Sequence, residues 1–441
     1  MGAHPRDERR DPRLRPRARR RAEAQGRRRL VTAEATRSAG ANGGGPLSGI
    51  RVLDLTRYLA GPFASMLLSD YGADVVKVES PSGREFRPQG KDRDSYFFLS
   101  SNRGKRSITL DLKRDETREL LLRVIPRFDV LIENFRPDVM GKLGLGAELL
   151  LEKNPRLVYC GISGFGATGP YAGRPGFDQI AQGMSGFMSL TGTESEGPTR
   201  AGIAIADLLG GIFAAHGIQL ALLARQRTGR GQVVHTSLLE SVIGILSWGA
   251  GMFFERGEAP GPAGQHHPLA SPYGRFRARD GYLNIAAGNP AMWEKLATAL
   301  GHGEWIADPR FAGSGDRVRN RTALTEAIEA ALAKGDVSHW VHTINEAGIP
   351  CGPVLDLAEV FSDPQVLARE MLVSLPHPEV GTFHTTGLPV KLSDTPGAIT
   401  RRPPLHGEHS REILVELGLE DDEIAHLLRA GVLGPANTER P

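Results

Sequence analysis

Ile50-Arg51-Val52-Leu53-Asp54-Leu55, then Gly61-Pro62 leading into Ser65-Met66-Leu67-Leu68-Ser69-Asp70, then Asp74-Val75-Val76-Lys77-Val78-Glu79, decide the fold of this chain. The first and third are short apolar runs of strand composition. The middle stretch opens at a proline and is closed by Gly72, the punctuation of a helix. Strand, helix and strand within roughly 30 residues form a βαβ unit, whose two strands run parallel. The alternation continues outward, with Ser107–Leu112 as a strand, Glu116–Ile125 as a helix and Val130-Leu131-Ile132 as a strand. Leu157–Ile162 adds a further short buried strand. This repetition predicts an open α/β sheet of the doubly wound type.

Further along, Leu208–Arg225 reads as a long helix stopped by Gly229 and Gly231, and Val233–Ser247 as a strand running into a second helix. Gly257–Ser271, rich in Gly, Pro and His, reads as loop. Tyr273–Phe276 and Tyr282–Ile285 form a hairpin turning at Asp280-Gly281, and helices at Met292–Leu300, Arg321–Leu332 and Val337–Ala347 complete a smaller α+β unit. Strands return near Glu379–Leu392, with closing helices at Ser410–Leu417 and Asp421–Ala430. The expected organisation is an extension over 1–46, a large Rossmann-like domain over 47–235, a linker over 236–271, a small domain over 272–378 and a return to the large domain over 379–441.

With 441 residues, 40% hydrophobic and 24% charged, the composition is ordinary for a globular protein of two or three domains. Two cysteines, Cys160 and Cys351, cannot build a disulfide framework or a closed zinc site, which suits a reducing, cytoplasmic setting. No run approaches the ~18 consecutive apolar residues of a membrane span, so neither a membrane nor a metal is expected. The net charge of +3 is unevenly spread. Met1 to Pro46 holds 13 Arg, no Lys and five acids, which makes +8 and leaves −5 on the rest. Such a segment buries too little apolar surface to fold. It reads as an Arg-rich arm for phosphate surfaces, a transit peptide, or an extension without function. Asp7, Glu8 and Asp11 argue against transit, and the negative body argues against nucleic acid as the main ligand.

Common chemical signatures are missing: no P-loop Gly-Lys-Ser/Thr, no His-Glu-x-x-His, no Cys-x-x-Cys, and no Gly-x-Gly-x-x-Gly in the first βα turn. His266-His267 is the one adjacent histidine pair, without a nearby carboxylate to complete a metal site. The informative stretches are Gly164-Phe165-Gly166-Ala167-Thr168-Gly169-Pro170-Tyr171, Pro175-Gly176-Phe177-Asp178, and Ala204-Ile205-Ala206-Asp207-Leu208-Leu209-Gly210-Gly211. Asp207 stands at the start of a helix, where it is either an N-cap or a carboxylate that the helix dipole holds ionised for chemistry. Gly210 and Gly211 would leave room for a ligand to approach the backbone.

Several segments resemble the family III CoA-transferases of the CaiB/BaiF type, which include formyl-CoA transferase, carnitine CoA-transferase and the α-methylacyl-CoA racemases. They are Leu47 through Thr56, Ala60-Gly61-Pro62, Gly72 through Glu79, Asn102 through Ser107, Glu133 through Pro137, the Gly-rich run, Thr228 through Gln232, and Pro272-Tyr273 with Asp280-Gly281-Tyr282. The resemblance runs in order from Leu47 to about Leu392. It implies a large Rossmann-like domain built from both chain ends with a small domain inserted, and an interlocked homodimer with the site between subunits. It also implies that Asp207 is the nucleophile and that coenzyme A and acyl-CoA are substrates, with a small carboxylic acid as partner and no permanently bound cofactor.

CoA contacts of the formyl-CoA branch carry over to Leu59, Ala60, Leu110, Asp111, Leu112, Lys113, Asn134, Phe135, Arg136, Lys142, Pro175, Gly176, Phe177 and Asp178. Leu59 stands where that branch has a Gln that orients intermediates, which argues against formyl or oxalate specificity; Ser80 replaces a CoA-contacting Arg. The racemases pair the aspartate with a His, and that position is Phe177, which cannot exchange a proton. The Leu53–Ala64 and Tyr159–Gly166 stretches are most similar to the succinyl-CoA:dicarboxylate group. A distal carboxylate there needs a cation, for which Arg57, Arg103 and Arg200 are candidates. A CoA-binding protein without catalysis is the reading from another class.

Overall fold

The computed structural model describes residues 44–82 and 96–434. The Arg-rich extension, up to residue 43, lies outside the described residues. Apolar runs that are buried on both faces become the strands of a central parallel sheet, as expected where helices cover both sides. Its strands are β1 (Arg51–Asp54), β2 (Asp74–Glu79), β3 (Arg106–Thr109), β4 (Val130–Glu133), β5 (Val158–Ser163) and β6 (Val233–Ser237), in the order β3-β2-β1-β4-β5-β6. All five neighbouring pairs are parallel. The order reverses between β1 and β4, and in such sheets ligands bind at the crevice outside the carboxyl ends of the strands at that reversal.

Alternate residues of each strand feed two cores. One face joins Leu53, Val76, Leu131 and Tyr159 to the helix α2 (Asp115–Val124) and to Ile413, Leu414, Ile424 and Leu427 from the chain's C-terminal end. The other joins Val52, Val75, Ile132 and Cys160 to α1 (Ala60–Asp70) and to Ala214, Ala215 and Ile218 of a long helix. The large domain is thus built from both ends of the chain.

The helices that follow β5 are α3 (Asp178–Met184), α4 (Ile205–Thr228), α5 (Leu238–Ile243) and α6 (Ser247–Arg256). The stretch 236–271 therefore carries two helices before it becomes open chain near Gly257. Helix α4 is long and apolar enough to cross a bilayer by length and composition; here it packs on α1, α3, α5, β5 and β6. It closes at Gly229, whose φ of 68° is the left-handed conformation that glycine adopts at helix ends.

The smaller unit is a three-stranded antiparallel sheet, β7 (Tyr273–Arg277), β8 (Tyr282–Ala286) and β9 (Cys351–Pro353), under α7 (Pro290–Ala299), α8 (Arg321–Leu332) and α9 (Val337–Glu346). Its own core includes Phe276, Trp293, Phe311 and Ile344. A hairpin, β10 (Leu372–His377) with β11 (Gly381–Thr386), starts earlier than the Glu379–Leu392 expectation. The chain then returns through α10 (Ser410–Glu416) and α11 (Asp421–Arg429).

Candidate active site

Two loops meet at the sheet's reversal point, one after β1 and one after β4. The Arg57 N–H donates to Asn134 Oδ1 at 2.8 Å, and Asn134 Nδ2 donates back to the Arg57 carbonyl at 2.6 Å. The Arg57 guanidinium lies 4.9 Å over the Phe135 ring. Between these ties, Tyr58 is held at φ 63°, a left-handed conformation that costs energy for a bulky residue. Its exposed ring meets Phe177 edge-on at 5.5 Å. The loop after β5 thereby joins the loops after β1 and β4. Beside Tyr58, a shallow cleft opens over the ends of β1 and β2, lined by Thr56, Lys77, Glu79, Ser80, Asn102 and His406 among others.

Helix α4 runs back against the strands, so its first turn lies at the same carboxyl edge. Asp207 is the third residue of that turn, not its cap. Capping comes from across the fold: Asp178 Oδ1 accepts the Ala206 N–H at 2.8 Å and the Asp207 N–H at 3.4 Å. Asp178 Oδ2 accepts from Gln182 Nε2 at 2.6 Å. No described residue hydrogen-bonds to the Asp207 carboxylate. Burial, reinforced by the Asp178 carboxylate, pushes the Asp207 carboxyl up to about 7. Against the expectation that the helix dipole holds it ionised, desolvation and a like charge act in the opposite direction.

The glycines beside Asp207 also differ from expectation. A Cβ on Gly211 would lie 2.6 Å from the Ala60 carbonyl and 3.3 Å from Ala64 N, and one on Gly210 would lie 2.8 Å from Leu238 Cδ2. They let α4 cross α1 and α5 at close range; a helix fills the space a ligand was expected to take. Gly164 and Gly176 approach similarly, each Cβ falling within 2.8 Å of the other's Cα, and so close the neck of the 164–176 loop. Within it the Gly166 N–H donates to Ser163 Oγ at 2.9 Å, so that amide is committed to the loop itself.

The pattern defining CoA-transferase family III matches residues 47–410. The chain belongs to that family. It is 39% identical to the succinate–glutarate CoA-transferase of Agrobacterium fabrum over 382 residues, 84% of this chain and 96% of that one. It is 41% identical to the acetyl-CoA:oxalate CoA-transferase of Acetobacter aceti over 354 residues, 79% of this chain and 90% of that one. A crystal structure of a CaiB/BaiF family protein from Brucella suis superposes with a TM-score of 0.78 at 40% identity, covering 85% of this chain and 100% of that one. This is a CoA-transferase, and its substrates are CoA thioesters.

Most CoA-contact positions expected for the transferase follow the carboxyl ends of strands: Leu59 and Ala60 after β1, Leu110–Lys113 after β3, Asn134–Arg136 after β4, and Pro175–Asp178 after β5. Their side chains differ in availability. Lys113, Arg136, Pro175 and Phe177 are exposed, Leu59, Asp111, Leu112, Asn134, Phe135 and Gly176 are half-buried, and Ala60 is buried. Leu110 is buried in the core, its N–H donates to the Glu79 carbonyl at 2.9 Å and its backbone bridges Leu433, so it offers a ligand little to bind. Lys142 is exposed but ion-paired with Asp138 one turn earlier. Asp178 has both oxygens committed inside the protein.

Of the candidate cations for a distal carboxylate, Arg103 is ruled out. It is buried, with Nε and Nη2 on the two oxygens of Asp70 at 3.0 and 2.7 Å, and Nη1 on Thr385. Arg200 is exposed on the loop that enters α4. His266 and His267 pack against the rings of Phe276 and Tyr273.

Three features of the site escaped the sequence reading. Gln182 ties Asp178 to the loop before α4, and the Asp178–Gln182 spacing of four residues on a helix was the available signal. Glu133 Oε2 accepts the Phe135 N–H at 2.8 Å and Oε1 accepts from the Tyr159 hydroxyl, which shapes the loop after β4; burial pushes its carboxyl up to about 7. Asp54 anchors a buried ion cluster with Lys105 and Lys77.

Proposed function

We propose that Asp207 is the nucleophile of CoA transfer from a dicarboxylic acyl-CoA, succinyl-CoA or a close relative, to a second small carboxylic acid. One observation carries this reading: a half-buried carboxylate that no described residue hydrogen-bonds, at the carboxyl edge of the sheet, more basic than an ordinary aspartate. Greater basicity makes a better nucleophile, and near neutral pH a large fraction is still ionised. An Asp207 oxygen attacks the thioester carbonyl, the C–S bond breaks, and CoA thiolate leaves a mixed anhydride. The thiolate then attacks the aspartyl carbonyl, the donor acid departs as a carboxylate, and an aspartyl-CoA thioester remains. The incoming carboxylate attacks this thioester, forming a second anhydride and freeing thiolate. Attack of that thiolate on the acceptor's carbonyl gives the new acyl-CoA and restores Asp207. Charges balance at each step without a metal or a redox cofactor. The anhydrides need a dry setting.

Dicarboxylate use is supported by the acids named for the relatives, glutarate and oxalate. The oxalate-active relative weakens the argument against oxalate drawn from Leu59. With Arg103 committed to Asp70 and the Arg57 guanidinium stacked on Phe135, Arg200 is the preferred cation for a distal carboxylate. Phe177 disfavours racemisation. Lys113 and Arg136 suit the phosphates of CoA as exposed cations at the right edge. Exposed Ile212, Leu220 and Leu223 on α4 and Trp248, Phe253 and Phe254 on α6 are apolar surface that a homodimer, interlocked in this reading, would cover.

The test is exchange of CoA between succinyl-CoA and a panel of mono- and dicarboxylic acids, read by mass spectrometry of the esters. Dicarboxylates should exchange, and Asp207→Ala should lose about a thousandfold or more in kcat with CoA affinity within a few-fold. Substantial turnover in that variant would remove Asp207 from the role. Exchange with monocarboxylates alone would overturn the substrate class.

A further inference from the structure

Gln182 is fully buried, yet both ends of its amide are used. Nε2 donates to Asp178 Oδ2 at 2.6 Å, and Oε1 accepts the Ala201 N–H at 2.9 Å. The opposite amide orientation would set oxygen against carboxylate and NH₂ against N–H, so the network fixes which end is which. Ala201 follows Arg200 on the loop that leads into α4, and Asp178 caps the turn that carries Asp207. A single side chain thus joins the loop that carries Arg200 to the aspartate that caps the Asp207 turn.

We propose that Gln182 is a positioning residue of the transfer site, a buried amide that locks the Arg200 loop to Asp178 and so couples acceptor binding to the presentation of Asp207. This rests on the reading of Asp207 as nucleophile. The coupling has two parts. Through Oε1, Gln182 holds the loop in one place, so the acceptor meets a preformed surface instead of ordering one on binding. Through Nε2, it fixes the orientation of the Asp178 carboxylate, whose other oxygen caps the turn that carries Asp207. The charged or titratable groups on elements around α4 are Asp70 on α1, paired with Arg103; Asp178 on α3; Glu240 on α5, bonded to Ser237; His235 on β6; and His216, Arg225 and Arg227 on the far part of α4 itself. Tyr159 and Cys160 on β5 are titratable but neutral. Of these, Asp178 is the one that acts on Asp207. Loss of the Gln182 donor frees the Asp178 carboxylate to turn away from the start of α4, and Asp207, relieved of a close like charge, then becomes more acidic.

The experiment is steady-state kinetics across pH on the full-length enzyme. For Gln182→Leu, the acceptor KM should rise about tenfold, the effect of one lost buried hydrogen bond, while CoA affinity stays within about twofold. The acid limb of kcat/KM should move down by roughly half to one pH unit. Asp178→Asn should lower the limb too, and the double variant should go no further than Asp178→Asn alone. A packing role for Gln182 moves neither limb nor acceptor KM selectively, so an unmoved limb or additive shifts would overturn the proposal. Should Gln182→Leu fail to fold, Gln182→Glu decides. Its protonated carboxyl can make both bonds, so the acceptor KM stays close to the parent's near pH 5.5 and rises about tenfold near pH 8.5. A KM ratio to the parent that is the same at both pH values would overturn it. Turnover in Asp207→Ala, by contrast, would show that the nucleophile reading itself had failed.

Discussion

Two aspartates at the same edge of the sheet are treated in opposite ways. Asp54, at the end of β1, is fully buried and saturated: it accepts from the Thr56 N–H, the Thr56 hydroxyl, the Ser65 hydroxyl and Lys105 Nζ at 2.5–3.0 Å, with Lys77 at 3.9 Å. Its partners hold the carboxyl well below the usual range in spite of burial. Asp207, at the start of α4, has burial and a like-charged neighbour without a donor, and is pushed up. The same side chain is a structural anchor where donors converge on it and a reagent where they are withheld.

That contrast breaks most visibly at Asp54. Asp54→Ala leaves Lys105, fully buried, and Lys77 without their counter-charge, and should cost about 3–5 kcal/mol in chemical denaturation. The network also fixes the Thr56–Tyr58 loop, because Lys77 Nζ donates to the Thr56 carbonyl and Lys105 Nζ to that of Pro62. A loss below about 1 kcal/mol would mean that the cluster contributes little and that the two aspartates differ less than their contacts imply.

How much of this was legible in the sequence follows from the range of the interactions. The βαβ core could be read because parallel strands buried on both faces appear as unbroken apolar runs, such as Val75-Val76 and Val130-Leu131-Ile132. The start of β10 was not legible, since Leu372–His377 mixes Ser, Pro and His into six residues and is stabilised by pairing with β11. Asp207 could be found because its motif is local. Its cap was invisible, because Asp178 lies 29 residues away and reaches it only through the packing of α3 on α4. Gly210-Gly211 announced empty space in the sequence, but whether a ligand or a helix fills such space depends on which element crosses there.

The next consequence concerns acidity. If Asp207 must be ionised to attack, kcat/KM for the acyl-CoA donor should fall tenfold per pH unit below about 7, reaching roughly a hundredfold loss at pH 5. An ordinary aspartate would give a flat profile over that range. A profile flat to pH 5 would place the nucleophile among well-solvated carboxylates and erase the distinction from a conventional surface acid.

The smallest effect tests the same titration in the absence of catalysis. In the folded protein Asp207 holds its proton up to about 7, against an ordinary value of 3.8. Below about pH 4 both folded and unfolded chains are protonated there, and the site costs nothing. Between those values the unfolded chain has already released the proton that the folded one retains, so stability declines as pH rises; above 7 the cost is complete. Asp207→Asn keeps the shape and removes the charge. After discounting for the partial exposure of the group, it should stabilise the protein by about 1–2 kcal/mol at pH 8.5, with the gain shrinking toward zero near pH 4. The measurement is paired denaturation of parent and variant across pH. A gain that does not change with pH would trace to packing, and a loss at pH 8.5 would mean that the charge is stabilised by the helix terminus after all. The first outcome would remove the like-charge and desolvation argument, while the pH-dependent gain expected here is what a site that trades stability for a reactive carboxylate must show.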